Sequence, residues 1–151
     1  MTCGESDVGV NRKVRAALAH GLTPIVAVGE TAEEHERGET LPKVLTQTRI
    51  AFDGVASEDV ARCVVAYEPI WVIGTGLVDD PDNADGVIGE IRNAVAGLSD
   101  ARLLYGGSMK PDNAAALLAR PHIDGGLIGG ASLTAASFAA IVDAAAARVR
   151  H

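Results

Sequence analysis

Four short apolar runs, each closed by a polar or glycine-rich turn, constrain this chain more than any other feature. They are "TPIVAVG" (23–29), "RCVVAYE" (62–68), "ARLLYG" (101–106) and "GGLIGG" (125–130). Runs this short, with no polar alternation, suit strands buried on both faces of a parallel sheet. Between them the pattern is helical. Residues 7–20 predict a helix capped by Ser6, with Val10, Val14 and Leu18 on one face and Gly21 as its stop. Thr31 and Glu34 have capping-box spacing, and Gly38 breaks the chain. Thr40-Leu41-Pro42 restarts a helix with Leu41, Val44, Leu45, Thr48 and Phe52 in register. Asp80-Pro81 opens another, with Ala84, Val87, Ile88, Ile91 and Val95 on its core face. Gly86 and Gly89 weaken that helix by about 1 kcal/mol each relative to alanine. Further helices are expected near 110–119 and 134–148.

One helix followed by four strand–helix units is an α/β pattern with a parallel sheet. At 151 residues, with no shift of composition along the chain, residues 1–151 are expected to form a single domain. Twenty acidic against thirteen scattered basic side chains give a net charge of −7, which argues against nucleic acid and anionic membranes as partners. No segment approaches the roughly 20 apolar residues of a membrane helix. Cys3 and Cys63 have neither disulfide-scaffold nor metal-site spacing, and Met1 leads into polar residues, not into a signal sequence. The expectation is a cytoplasmic protein.

Chemistry in such folds gathers at the carboxyl ends of the strands. There the chain places "GET", "EPIW", "YGGS" and "GGAS". Glu68 closes the second apolar run. A carboxylate facing an apolar rim loses hydration, which lifts its pKa toward that of a general base; the plain alternative is a strand-end acid in water or paired with an arginine. The residues that follow favour the base. Pro69 and Trp71 stiffen one end of the segment 69–76, while Gly74 and Gly76 loosen the other, as in a lid that closes over a ligand. "YGGS" (105–108) and "GGLIGGAS" (125–132) open helices with bare amides that suit an anion. Neither matches a nucleotide-binding loop, so a small phosphorylated molecule is the expected ligand. "EEHERGE" (33–39) lacks the second histidine of a metal helix and is expected to be a solvated helix end. His20, His122 and His151 are expected at the surface.

The runs "GLTPIVAVGET", "AYEPIWVIGTG", "LLYGGSMKPDNAAALL" and "IDGGLIGGASL" closely resemble the triosephosphate isomerase family over essentially the whole chain. The resemblance implies part of an eight-stranded (β/α)8 barrel, namely its last four strands and the helix before them. It also implies interconversion of dihydroxyacetone phosphate and glyceraldehyde 3-phosphate without a cofactor or metal, usually in a homodimer. Lid closure and tuned acid–base chemistry are long-described properties of that family and enter here only with the resemblance. On it, Glu68 is the catalytic base, and Pro69, Ile70, Trp71, Val72, Ile73, Gly74, Thr75 and Gly76 form the lid. Gly74, Ser108, Gly129 and Gly130 hold the substrate phosphate. Tyr105 and Ser108 latch the closed lid, and Ile73 and Leu127 wall the base.

The chain departs from the family in what it lacks. It has no counterpart of the family's asparagine-x-lysine motif after a first strand, no histidine-serine-glutamate-arginine motif, and no loop of the kind that supplies most dimer contacts. Ala27 stands where many members carry cysteine. A full barrel needs about 250 residues. The expectation is therefore the carboxyl-terminal part of a longer reading frame, inactive alone. A phosphate-binding half-barrel or assembly module is the alternative.

Overall fold

The computed structural model describes residues 4–73 and 79–148. Helix α1 (Asp7–Ala19) is capped by Ser6, whose hydroxyl accepts from the Gly9 N–H, and the chain leaves it through Gly21 at φ +71°. Strand β1 (Ile25–Val28) leads to α2 (Ala32–Glu36), where Thr31 and Glu34 close the expected capping box. After Gly38, again at positive φ, α3 (Thr40–Ala51) follows, then a one-turn helix α4 (Ser57–Val60) that no periodicity announced. Strand β2 (Val64–Tyr67) and α5 (Pro81–Asn93) come next, the latter capped by Asp80. Strand β3 (Arg102–Tyr105), α6 (Ala114–Leu118), β4 (Gly125–Gly126), a 3-10 turn (Gly130–Ser132) and α7 (Ala135–Arg148) complete the order.

The four strands form one parallel sheet in the order β1-β2-β3-β4. That order never reverses, so the sheet has no switch point and is wound in one sense, as a barrel segment is. Register puts Val28, Tyr67 and Tyr105 in one row, and Ala27, Ala66, Leu104 and Gly125 in the row beside it. The first of these faces is the core. Val26, Val28, Val65, Tyr67, Leu103 and Tyr105 are buried there with Val14, Val44, Ile88, Ile91 and Leu117 from the helices. Each such side chain taken from water contributes about 1.5–3 kcal/mol.

The other face corrects the expectation of strands buried on both sides. Ile25 is 58% exposed, and Ala27 and Arg102 are exposed too, whereas Ala66 in the middle of that face is buried. The apolar runs are those of a doubly covered strand, but within this chain only one face has helices against it.

Three further expectations shift. Leu41 is exposed, because the stripe of α3 that meets the core runs through Val44, Thr48 and Ala51. The helix expected near 110–119 shortens to α6, since Asn113 Oδ1 accepts from the Lys110 N–H and its amide donates to the Ser108 carbonyl, holding 110–113 as a turn. The fourth strand pairs over only two residues. Gly89, costly for helix propensity, has a packing reason: a Cβ there would stand 3.1 Å from the His122 ring. Arg92 then ties α5 to the sheet. It donates to the carbonyls of Ser99, Ala101 and His122 and to the Asp124 carboxylate at 2.6 Å.

Candidate active site

The strand ladder runs past the last paired residues and sets the rim. The Glu68 N–H donates to the Val28 carbonyl at 2.7 Å, Gly106 to Tyr67 at 2.7 Å, and Leu127 to Tyr105 at 2.9 Å. Each loop therefore starts at a fixed height above its neighbour. Gly29 belongs to this frame, because a Cβ on it would overlap the Glu68 carbonyl oxygen.

Glu68 is half-buried at the end of β2, and burial alone pushes its carboxyl above the usual glutamate range. Its stem lies on Gly106: a Cβ there would meet Glu68 Cγ at 2.6 Å. Gly107 is bare for a related reason, since its Cα sits over the Tyr105 ring. Tyr105 is fully buried, and burial with the nearby Asp79 keeps its phenol protonated.

A cavity of about 700 Å³ opens beside Glu68, and Gly106 is common to both. Its lining includes Ile73, Ser108, Lys110, Gly129 and Gly130. The last two glycines differ from those just described. A Cβ on either would meet nothing within 4 Å, so no neighbouring atom excludes a side chain at either position. What their bareness provides is backbone amide surface open to the cavity, suited to an anion.

Residues 69–73 form the beginning of the expected lid. Pro69 and Val72 are buried, Trp71 is half-buried, and Ile70 and Ile73 are exposed. Val72 N–H to Pro69 carbonyl and Ile73 N–H to Ile70 carbonyl bonds coil the segment into a turn. Gly74, Thr75 and Gly76 lie outside the described residues.

Of the residues singled out in the sequence, Ile73, Ser108, Gly129 and Gly130 thus meet in one cavity, with Glu68 at its Gly106 wall. Tyr105 and Leu127 are not among its lining residues; Tyr105 is fully buried, and the Leu127 N–H donates to its carbonyl. Two residues of weight were missed. Glu30 is fully buried, and its Oε1 accepts from Tyr67 Oη at 3.1 Å, Trp71 Nε1 at 2.9 Å and Thr40 Oγ1 at 3.2 Å. Its signal was available: like Glu68, it is an acid just past an apolar strand. The other is His35. Its imidazole stacks on the Trp71 indole, with centroids 4.1 Å apart and planes at 22°, so the expected solvated helix end is corrected to a packed one. Asp79, buried ahead of α5 with Asn83 donating to Oδ1, has its carboxyl raised by burial. Among the described residues, no group of three or more His, Cys, Asp or Glu could hold a metal ion, and no helix is long and apolar enough to cross a membrane.

The sequence profile of the triosephosphate isomerase family matches residues 1–145. Among curated proteins the chain is similar to triosephosphate isomerases of three bacteria. It is 49% identical to that of Thermoanaerobacter pseudethanolicus over 146 residues, covering 93% of this chain and 59% of the relative. For Chloroflexus aurantiacus the figures are 50% over 145 residues, 92% and 58%. For Pelobacter propionicus they are 52% over 146 residues, 93% and 58%. The chain therefore spans just under three fifths of the length of the relatives it matches.

Proposed function

The chain belongs to the triosephosphate isomerase family, and from that membership we propose that it forms the base-bearing part of a barrel that interconverts dihydroxyacetone phosphate and glyceraldehyde 3-phosphate. The observation that carries this reading is the placing of Glu68. A carboxylate with its pKa raised by burial lies against Gly106, which lines a cavity that Gly129 and Gly130 also line.

In this reading the phosphate of a three-carbon substrate sits against Gly129, Gly130 and Ser108, with Gly74 joining when the lid is down. The reacting carbons then extend toward Glu68. Glu68 removes a proton from the carbon next to the carbonyl, leaving an enediolate, and returns it to the neighbouring carbon. The raised pKa serves both steps, because a carboxylate that takes up a proton more readily than an exposed one can accept it from one carbon and return it to the next. Ile73 at the cavity edge and Leu127 beside it keep water from the base, and Tyr105 with Ser108 latches the lid. Nothing in this cycle calls for a cofactor. The complete protein is a cytoplasmic homodimer on the same family footing.

The enediolate oxygen needs a donor, and losing an oxyanion-type donor costs about 10²–10³ in turnover. The family's lysine and histidine motifs that supply such groups are not in these 151 residues. Residues 1–151, as one domain, are accordingly proposed to bind a phosphorylated triose weakly and to isomerise nothing above background. Turnover should appear when strands equivalent to the remaining two fifths of the relatives are supplied as a second chain. The test is an isomerase assay on the purified chain, alone and mixed with such a chain. Full activity from the 151 residues alone, or none from a stably assembled pair, would refute the assignment.

A further inference from the structure

We propose that His35 is a positioning residue for the lid, a clamp on Trp71 whose hold tightens when the imidazole is protonated. The start of the lid is tied to the β1–α2 connection three times. The Ile70 N–H donates to the Glu30 carbonyl at 3.1 Å, Trp71 Nε1 donates to Glu30 Oε1 at 2.9 Å, and the indole face lies on His35. The first two ties are fixed in charge state at the donor. The third is not, because histidine is the side chain whose charge ordinarily changes between pH 5 and 8.

His35 Nδ1 faces Glu30 Oε1 at 3.6 Å and Thr40 Oγ1 at 3.4 Å. Thr40 itself donates to the same Glu30 oxygen. A positive charge on the ring therefore faces a fully buried carboxylate on one side and an indole on the other. Both interactions strengthen with a cationic ring, the first by charge and the second by the attraction of a cation for an aromatic face. The remaining carboxylates around the ring act in the same direction. Asp79, ahead of α5, interacts with it electrostatically. On its own helix stand Glu33, Glu34 and Glu36, and from α3 Lys43 is paired with Glu34 at 3.1 Å. Tyr67, from β2, keeps its phenol protonated and donates to Glu30. No unpaired cation opposes the imidazolium in this set.

The inference rests on reading residues 69–76 as a lid, but its test needs no substrate. Trp71 is the only tryptophan of the chain, so its emission reports this stack without interference, and protonated imidazole quenches indole emission. Expected for the full 151-residue chain is a fall in emission between pH 8 and pH 5. It should be accompanied by a roughly two- to fivefold drop in the accessibility of Trp71 to acrylamide, the range a surface cation–indole contact supports. In His35→Gln the pH-dependent change should vanish. In His35→Arg, which keeps a planar cation at every pH, accessibility should stay at the low-pH level throughout. A His35→Gln chain that still titrates, or an Arg variant whose accessibility rises with pH, would overturn the clamp. Should the Gln variant fail to fold by circular dichroism, the Arg variant decides alone. A titrating Trp71 in a chain whose assembled barrel does not isomerise would sink the isomerase reading and leave the clamp standing.

Discussion

Glu68 lies against the bare Cα of Gly106, so closely that a methyl group there would stand 2.6 Å from Glu68 Cγ and 3.3 Å from its Oε1. The same Cβ would meet the Tyr67 carbonyl oxygen at 3.2 Å. One of these neighbours is ladder backbone and cannot yield, so the glutamate must. Gly106 thus fixes where the carboxylate can be, and the cavity it lines fixes what the carboxylate can reach.

Gly106→Ala should therefore act as a catalytic lesion more than a folding one. Overpacking of this kind costs about 1–3 kcal/mol of stability. A base displaced by roughly 1 Å costs on the order of 10²-fold in rate. In the assembled barrel we expect kcat to fall by that factor, with phosphate affinity within a few-fold of wild type. Isothermal titration with glycerol 3-phosphate alongside the isomerase assay separates the two. An alanine variant with unchanged kcat would mean that Glu68 is not held by this contact.

The contrast between Glu30 and Glu68 marks how far the sequence alone could carry the reading. Both acids follow an apolar strand, and in the sequence only the lid-like residues after Glu68 set it apart. What separates them is long-range: Tyr67, Trp71 and Thr40 converge on Glu30 from three elements, whereas Glu68 meets only burial. The helices and strands were legible because caps, glycine stops and apolar runs are local signals. Ser6, the Thr31–Glu34 box and Asp80 all cap as their spacing implied. Exposure of Ile25 and Ala27 was not legible from the strand itself, because a strand's composition does not state whether its second cover lies in the same chain. His35 escaped for the same reason as Glu30, since Trp71 lies 36 positions away in sequence and only the fold brings the rings together. The distinction between glycines was equally hidden. Gly106 and Gly129 look alike in sequence, yet one is bare because Glu68 occupies the space and the other because the space is open.

Burial raises the Glu68 pKa, so the contribution of this carboxyl to stability depends on pH. In the window between the ordinary carboxyl pKa and the raised one, the folded chain binds the proton more tightly than the unfolded chain does. Stability from this group is therefore full below the unfolded pKa and is lost as pH rises through the folded one. Glu68→Gln has no such loss. Its urea midpoint, compared with wild type from pH 4 to pH 7.5, should gain on wild type as pH rises. The matching kinetic statement is that the acid limb of kcat/KM lies above the ordinary glutamate value of about 4.3. A Gln variant that loses ground as pH rises would contradict the burial of this carboxylate.

Arg92 makes a prediction about the frame and not the chemistry. Its side chain is 18% exposed and serves three carbonyls and Asp124, whose Oδ2 also accepts from the Leu103 N–H at 2.8 Å. Arg92→Met would leave those acceptors and a partly buried carboxylate without their donor, a loss of about 2–4 kcal/mol. Arg92→Lys should recover less than half of it, because an ammonium cannot reach acceptors on both sides as the guanidinium fork does. Urea unfolding of the three chains measures this directly. A Met variant within 0.5 kcal/mol of wild type, about the scale of an ordinary surface change, would show that the hub is decorative.

The sharpest statement concerns Glu68 itself in the assembled barrel. Aspartate keeps the charge but is one methylene shorter, so the carboxylate withdraws by roughly 1 Å from any substrate carbon it must reach. Glutamine keeps the reach and removes the base. Neither change alters Ser108, Gly129 or Gly130, which line the cavity. Binding of the phosphate should hardly alter in either variant, and KM should stay within a few-fold. The rate should respond to both, Glu68→Asp losing on the order of 10²-fold in kcat and Glu68→Gln more. An interaction made mainly in the transition state leaves this signature of kcat lost at constant KM. If instead Glu68→Gln turned over like wild type, the raised carboxylate at the end of β2 would be an ordinary rim acid, and proton transfer would have to be sought elsewhere on the barrel.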